Sequence, residues 1–246
     1  MDIFIHIVYD NNLFIETDVH GAMDLDRCLV EKRSCKSYLD KPVPIELIGE
    51  ILKAGTYAPS AGNLQNWNFI IIRDQQKRYE IAAACHKQEW MRGAPVHIVI
   101  CNDMKKVTDM FQRKGKLYAT QACAIAGQNM MLKATDVGLH SCWVGSFDEY
   151  AISKILKLPD NIVPEMIITV GYSDQMEQGL ERIPVDRVTF FEEHGKNVVE
   201  KSFFPLSKYG QNVGRVLEKA TGANQQQEAT QPQSSLGKIR SWFKGK

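Results

Sequence analysis

Little in this sequence would staple or anchor a fold from outside its core. Six cysteines occur in 246 residues, at positions 28, 35, 85, 101, 123 and 142. None forms a C-x-x-C pair and no His-rich run accompanies them, which argues against a zinc ribbon. Most lie among apolar neighbours, where a free thiol behaves as a small hydrophobe. Reduced thiols in a cytoplasmic protein are therefore expected. An excess of one charge is also lacking: Lys plus Arg is 30, Asp plus Glu is 29, and the net charge is +1. That leaves no global drive toward nucleic acid. No apolar run reaches the ~20 residues of a membrane span. Residues 117–132 are uncharged but carry Thr120, Gln121, Gln128 and Asn129, and read as a buried helix. Residues 3–8 are apolar, but no basic region precedes them and Asp10 soon follows, unlike a secretory leader. There is no P-loop, no G-x-G-x-x-G, no G-x-S-x-G and no H-E-x-x-H. No repeat appears at solenoid or propeller periods.

What is present belongs to a globular protein. Hydrophobic residues make up 44% and charged residues 24%, and this length buries a sizeable core without staples. Residues 1–22 form an N-terminal appendage, in which "IFIHIVYDNNLFIE" reads as a hairpin. Met23 is a second candidate start, because "MDLDRCLVEKRS" opens a helical pattern with Asp24 as cap and Lys32 and Arg33 at its negative end. A second helix follows Pro42 and Pro44, with Ile48, Ile51, Leu52 and Gly55 on one face. "NFIIIRD" reads as a buried strand, 75–85 as a helix, "APVHIVICND" as a strand, and 105–112 as a short helix. Residues 114–136 predict a long central helix, "SCWVG" a short strand, 148–157 a helix, and "EMIITVGY" a strand. Such alternation makes a mixed α and β core. The main domain is expected over 23–195, with a looser arm over 196–220. Residues 221–235, with five glutamines, read as a disordered linker within a tail of 221–246. At its end Leu236, Ile239, Trp242 and Phe243 share a helical face opposite Lys238, Arg240 and Lys244. Residues 236–246 thus fit weak contact with a membrane surface or a protein, as they also fit a solvated tail.

Two segments could carry chemistry. In "EKRSCKSY", Lys32, Arg33 and Lys36 surround Ser34. Cations at a helix end suit its dipole, yet Lys and Arg with a hydroxyl also make a phosphate clamp. In "APSAGNLQNWNF", a Gly and Ser loop precedes a strand, and the backbone there can approach a flat ligand closely. Asn63 and Gln65 supply paired donors and acceptors for a heterocycle edge. An ordinary helix-to-strand connection would look the same, and Trp67 reads as core. The triplet His140, Ser141, Cys142 is no relay, because strand neighbours point to opposite faces; Cys142 reads as buried structure.

A basic R-S-x-K element, a "PVP" helix start and "APSAGNLQNW", in this order, resemble the FMN-dependent nitroreductases. The likeness continues through "QEWMRGAPVHIVICND", "LYATQACAIAGQNMMLKATDVGLHSCWVGSFDE" and "ILKLPDNIVPEMIITVGY" to "RIPVDRV", covering about residues 24–191. It implies an α+β, three-layer fold with a mixed central sheet flanked by helices, and a homodimer holding FMN at its interface. By position, Lys32, Arg33, Ser34 and Lys36 would hold the phosphate, ribityl chain and pyrimidine edge. Pro59, Ser60, Ala61 and Asn63 would come from the partner subunit, and Gln65 is counted with the cofactor-binding residues. Gly145 and Ser146 match the turn whose amide faces the reactive flavin nitrogen, Arg182 matches a late basic residue near the phosphate, and His86 and Gln88 fall near the flavin edge. This chain departs from relatives at Leu180, where some carry a second basic residue, and at Ala122, where many carry Asp. The stretch from Cys101 to Leu117 is short, so any lid is small.

The resemblance implies a ping-pong cycle in which NADH or NADPH reduces FMN and a small nitroaromatic, quinone or enone acceptor reoxidises it. Lys36 would then offset the charge of the reduced flavin. No metal is implied. The family also contains dehalogenases and ene reductases, and a flavin-binding sensor without turnover is the reading from another class.

Overall fold

The chain divides into two compact units, Met1–Leu180 and Glu181–Lys246. Within them the structure, a computed structural model, describes residues 23–86, 88–175, 179 and 181–196. The readings of 1–22, Leu180, the arm beyond 196 and the amphipathic end therefore lie outside the described residues.

Ten helices and strands follow one another in the first unit. They are α1 (Leu25–Glu31), α2 (Ile45–Thr56), β1 (Trp67–Ile72), α3 (Gln75–Ala83), β2 (Val96–Asp103), α4 (Met104–Phe111), α5 (Gly115–Asp136), β3 (His140–Val144), α6 (Glu149–Leu156) and β4 (Ile162–Gly171). The strands form one sheet in the order β1-β2-β4-β3, and each neighbouring pair is antiparallel. Parallel pairing enters through one bridge, Ser34 to Ser141. Short polar residues start three of the helices: Asp74, Asp103 and Asp148 each accept from a backbone N–H of the first turn.

The central strands β2 and β4 are buried on both faces and set the layers. On one side Ile98, Ile100 and Ile168 pack with Ile48 and Ile51 of α2 and Met130 of α5. On the other, Val99 and Ile167 pack with Ile81 of α3 and Ile152 of α6. A strand alternates faces, so one run of sequence feeds both cores. Helix α5 presents small residues to its neighbours. A Cβ on Gly127 would lie 2.8 Å from Met166 Sδ, and one on Gly115 would lie 2.7 Å from the Thr108 Cα, so α4 and α5 meet backbone to backbone.

Three expectations differ in detail. The strand read as buried in "NFIIIRD" is the sheet edge β1, and Asn68 and Ile71 are exposed. An edge position leaves part of an apolar run in solvent. Strand β4 starts at Ile162, three residues before the expected Glu165, and passes through Pro164. Proline cannot donate to the ladder, and the register shifts between Ile100 and Cys101 where Pro164 pairs. Asp24 is the N-cap of α1 but its side chain makes no capping bond. Asp136 at the end of α5 receives the neighbouring Met23 N–H instead, at 2.9 Å.

Strand β2 buries a titratable ring. His97 is fully buried, and Nε2 lies 2.9 Å from the Met91 carbonyl oxygen while Nδ1 has no partner. Burial lowers its pKa from 6.5 to about 4, with Arg78 adding to the effect and the Met91 bond opposing it. Protonation thus favours the unfolded chain between those values. Stability should fall as pH drops from about 6.5 toward 4, by up to about 3 kcal/mol. Urea unfolding midpoints across that range test this: the wild-type chain should lose more than His97→Gln, and parallel pH profiles would refute it.

Candidate functional site

The basic segment is held by the outer edge of β3. Ser34 bridges Ser141, and the Cys35 N–H donates to the Ser141 carbonyl at 3.1 Å. Farther along, the Tyr38 hydroxyl lies 2.7 Å from Thr169 Oγ1 and donates to the Cys35 carbonyl at 2.9 Å. Leu39 N–H donates to Tyr172 O at 2.8 Å. Residues 34–39 are therefore tied to the sheet by main-chain and phenolic bonds.

These side chains gather at one place. Lys36 Nζ stands 5.9 Å from the centroid of the Trp90 ring. The Cys142 thiol is pushed up by burial, while Lys36, Lys32 and the Ser34 hydroxyl pull it back. Arg33 donates to the carbonyls of Val30 and Lys32. A Cβ on Gly179 would lie 2.8 Å from Arg33 Nη2, so glycine permits that approach. Among the described residues, neither Arg33 nor Lys36 has a carboxylate within ion-pair distance.

The turn between β3 and α6 joins this group. Gln88 Nε2 donates to the Ser146 carbonyl at 3.0 Å, and the Asp148 N–H donates to Ala84 O at 2.9 Å. Gln88 opens the short 3-10 turn Glu89–Gly93 that also carries Trp90, so one turn supports both Lys36 and Ser146. Gly145 is exposed, and a Cβ there would meet Trp143 Nε1 at 3.2 Å. His86 is exposed with φ 45° and Gln88 spends its amide on the turn.

The loop of residues 59–65 forms a second group. Gly62, Asn63 and Gln65 have φ of 59°, 55° and 47°, a conformation that costs energy for non-glycine residues. Ser60 closes the loop: its Oγ accepts the Gln65 N–H at 2.9 Å and its carbonyl accepts the Asn63 N–H at 2.9 Å. Gln65 Nε2 donates to Asn63 Oδ1 at 3.3 Å, so the two amides brace each other. Pro59, Ser60 and Ala61 line an open hollow of about 180 Å³ with Tyr118, Gln121 and Ala122 of α5. Ala122 is 2% exposed in the core, where a carboxylate would be desolvated. The short stretch expected to make a small lid is α4, whose Met110 Sδ would lie 3.1 Å from a Cβ on Gly62.

Among the described residues, no hydrogen bond or ion pair joins the two groups within one chain. Arg182 lies in the second unit and is exposed. Two features escape sequence reading. One is Trp90 under Lys36, two aromatic and basic positions far apart in the chain. The other is a cavity of about 310 Å³ lined by residues including Glu31, Arg33, His140 and Gln175.

An antiparallel sheet sandwiched by helices, with a basic ledge on one edge strand and a glycine-bearing loop against the long helix, defines an α+β ligand-binding class. The nitroreductase family model matches residues 29–89 and 85–172, and the chain belongs to the nitroreductase family. A candidate NADH dehydrogenase/NAD(P)H nitroreductase of Archaeoglobus fulgidus is 32% identical over 158 residues, 60% of this chain and 86% of that protein. An FMN reductase (NADPH) of Bacillus subtilis is 21% identical over 214 residues, 81% of this chain and 85% of that one. The crystal structure of a nitroreductase family protein from Clostridium difficile superposes with TM-score 0.62 at 29% identity, covering 70% of this chain and 99% of the other. The fold is thus the α+β nitroreductase fold.

All six thiols are free and buried, and burial pushes Cys85, Cys101 and Cys123 up to about 12. A thiol reagent at neutral pH should label fewer than about one thiol per native chain and all of them after unfolding. Rapid labelling of Cys142 in the native chain would restore the nucleophile reading.

Proposed function

We propose that this chain is an FMN-dependent NAD(P)H oxidoreductase that passes electrons to a small nitroaromatic, quinone or enone acceptor. The observation that carries the reading is Arg33, Ser34 and Lys36 beside the β3 edge, with neither Arg33 nor Lys36 within ion-pair distance of a carboxylate among the described residues. Cations beside a hydroxyl fit a phosphate-bearing ligand. The name of the Bacillus subtilis relative, FMN reductase (NADPH), supports this cofactor and this donor.

The residues present fit FMN. Lys32, Arg33 and Ser34 would hold its phosphate and ribityl chain. Lys36 would take the pyrimidine edge, and the exposed turn at Gly145 and Ser146 would offer backbone amides to the ring. Bound FMN supplies two-electron exchange between a reduced nicotinamide and the acceptor. Lys36 would offset negative charge at the pyrimidine edge, and its ammonium lies 5.9 Å from the centroid of the Trp90 ring. Gln88 keeps the Ser146 peptide in place through its 3.0 Å bond.

The site takes a second copy of the chain to complete. Pro59, Ser60, Ala61, Asn63 and Gln65 make no hydrogen bond to the basic ledge of their own chain, which supports their serving the partner's flavin. Leu117 and Ile125 on α5 and Trp143 on β3 leave 57%, 39% and 36% of their surface exposed, and apolar surface of this kind favours a homodimer. In this reading residues 23–195 belong to the flavin domain. No described helix is long and apolar enough to cross a membrane.

Visible absorption before and after anaerobic NADH or NADPH tests the reading. The purified chain should be yellow, bleach with a nicotinamide, and regain colour with menadione over many turnovers. Lys36→Met should raise the FMN dissociation constant or slow reduction by about tenfold. A chain that takes up no FMN, or a single reduction without turnover, would reject the oxidoreductase. Unchanged binding and rate in Lys36→Met would reject that residue's role alone.

A further inference from the structure

We infer that Asn66 is the positioning residue for the flavin-facing loop, through a buried amide chain that ends on Glu165. The inference rests on the flavin reading of residues 59–65. Those residues hold three left-handed backbones, and the bonds from Ser60 and Gln65 close the loop only on itself. A strained loop keeps one shape only when something outside over-determines it.

Asn66, the next residue, supplies that connection. It is 1% exposed. Its Nδ2 donates to Asn102 Oδ1 on β2 at 2.8 Å and to the Ala119 carbonyl on α5 at 3.2 Å. Its own carbonyl accepts the Asp103 N–H at 2.8 Å. Asn102, fully buried, then donates through Nδ2 to Glu165 Oε1 on β4 at 3.0 Å. The same carboxylate oxygen accepts the Thr120 hydroxyl of α5 at 3.3 Å. Glu165 accepts at the far end, so Asn102 must turn its NH₂ to Glu165 and its oxygen to Asn66. Asn66 must in turn present its NH₂. The polarity of the chain therefore runs one way, from the loop to β4.

The same chain orients the loop against α5. Ala119 lies between Tyr118 and the Gln121 and Ala122 that face Pro59, Ser60 and Ala61 across the hollow. A bond from Asn66 to this helical turn sets the distance between loop and helix. An apolar side chain at 66 would fill the space but set neither direction nor register.

The test uses the full-length protein with FMN, in wild type, Asn66→Ala, Asn66→Asp and the double variant Asn66→Asp/Glu165→Gln. Asp at 66 turns an acceptor toward Asn102. Gln at 165 lets Asn102 flip and restores a continuous chain of opposite polarity. FMN dissociation constants come from flavin fluorescence, well below each variant's melting temperature, and amide hydrogen exchange of residues 60–65 is followed on the flavin-free protein. Asn66→Asp and Asn66→Ala should raise the dissociation constant at least about tenfold and speed exchange in the loop. The double variant should recover part of the affinity lost in Asn66→Asp, because it restores the link through Asn102 but not the bond to the Ala119 carbonyl. If Asn66→Asp fails to fold, Asn66→Ala carries the same two readouts. Dissociation constants within about twofold of wild type, with only the melting temperature lowered, would mean a structural role alone and overturn the inference. Wild type without FMN affinity would overturn the flavin reading together with this inference, whereas wild-type affinity with insensitive variants removes only the inference.

Discussion

The basic ledge depends on the main-chain docking of residues 34 and 35 onto the open edge of β3. An edge strand has unpaired donors and acceptors, and this chain uses them to hold the segment that carries Arg33, Ser34 and Lys36. The Ser34–Ser141 bridge and the Cys35 to Ser141 bond fix the backbone. Ser34 and Lys36 are thereby set at the end of β3 by main-chain bonds of the segment that carries them.

That sheet is robust because β2 and β4 are apolar on both faces. Their alternating residues feed two cores, one under α2 and α5 and one under α3 and α6. The few polar groups within these strands are therefore informative. His97 is held neutral by burial. Asn102 is bonded at both ends of its amide, accepting from Asn66 and donating to Glu165. Leaving either partner of such a buried pair unsatisfied costs about 1–3 kcal/mol, so the amide chain is retained only in one arrangement. It links the loop of residues 59–65 to the rigid centre of the molecule, as the β3 edge does for the ledge. The two halves of the site thus hang on opposite sides of one sheet frame.

Much of this was legible in the residues. Helix α2 was readable from Pro44 and the spacing of Ile48, Ile51 and Gly55, and α5 from its uncharged length. The buried β2 followed from an unbroken apolar run. Where periodicity was the signal, the expectation held, because burial on one or two faces leaves a period in the sequence. The start of β4 at Ile162 was missed because Pro164 argues against a strand interior, and only the register shift opposite it makes room. The exposure of β1 was missed because an apolar run does not say whether its strand lies at the centre or the edge. In the site, the basic element and the glycine loop were both visible as local clusters. Trp90 beneath Lys36 and Asn102 beside Asn66 were not, since their partners are brought together by strand order.

By itself, then, the sequence determined the elements, the free buried thiols and the two local clusters that mark this family. These rest on short-range pattern, charge and residue chemistry. Tertiary structure alone decided that Lys36 meets Trp90, that Gln88 spends its amide on Ser146, and that Asn66 reaches Glu165 through Asn102. Each of these joins residues distant along the chain, and their meeting is set by sheet order and register, which no local spacing encodes.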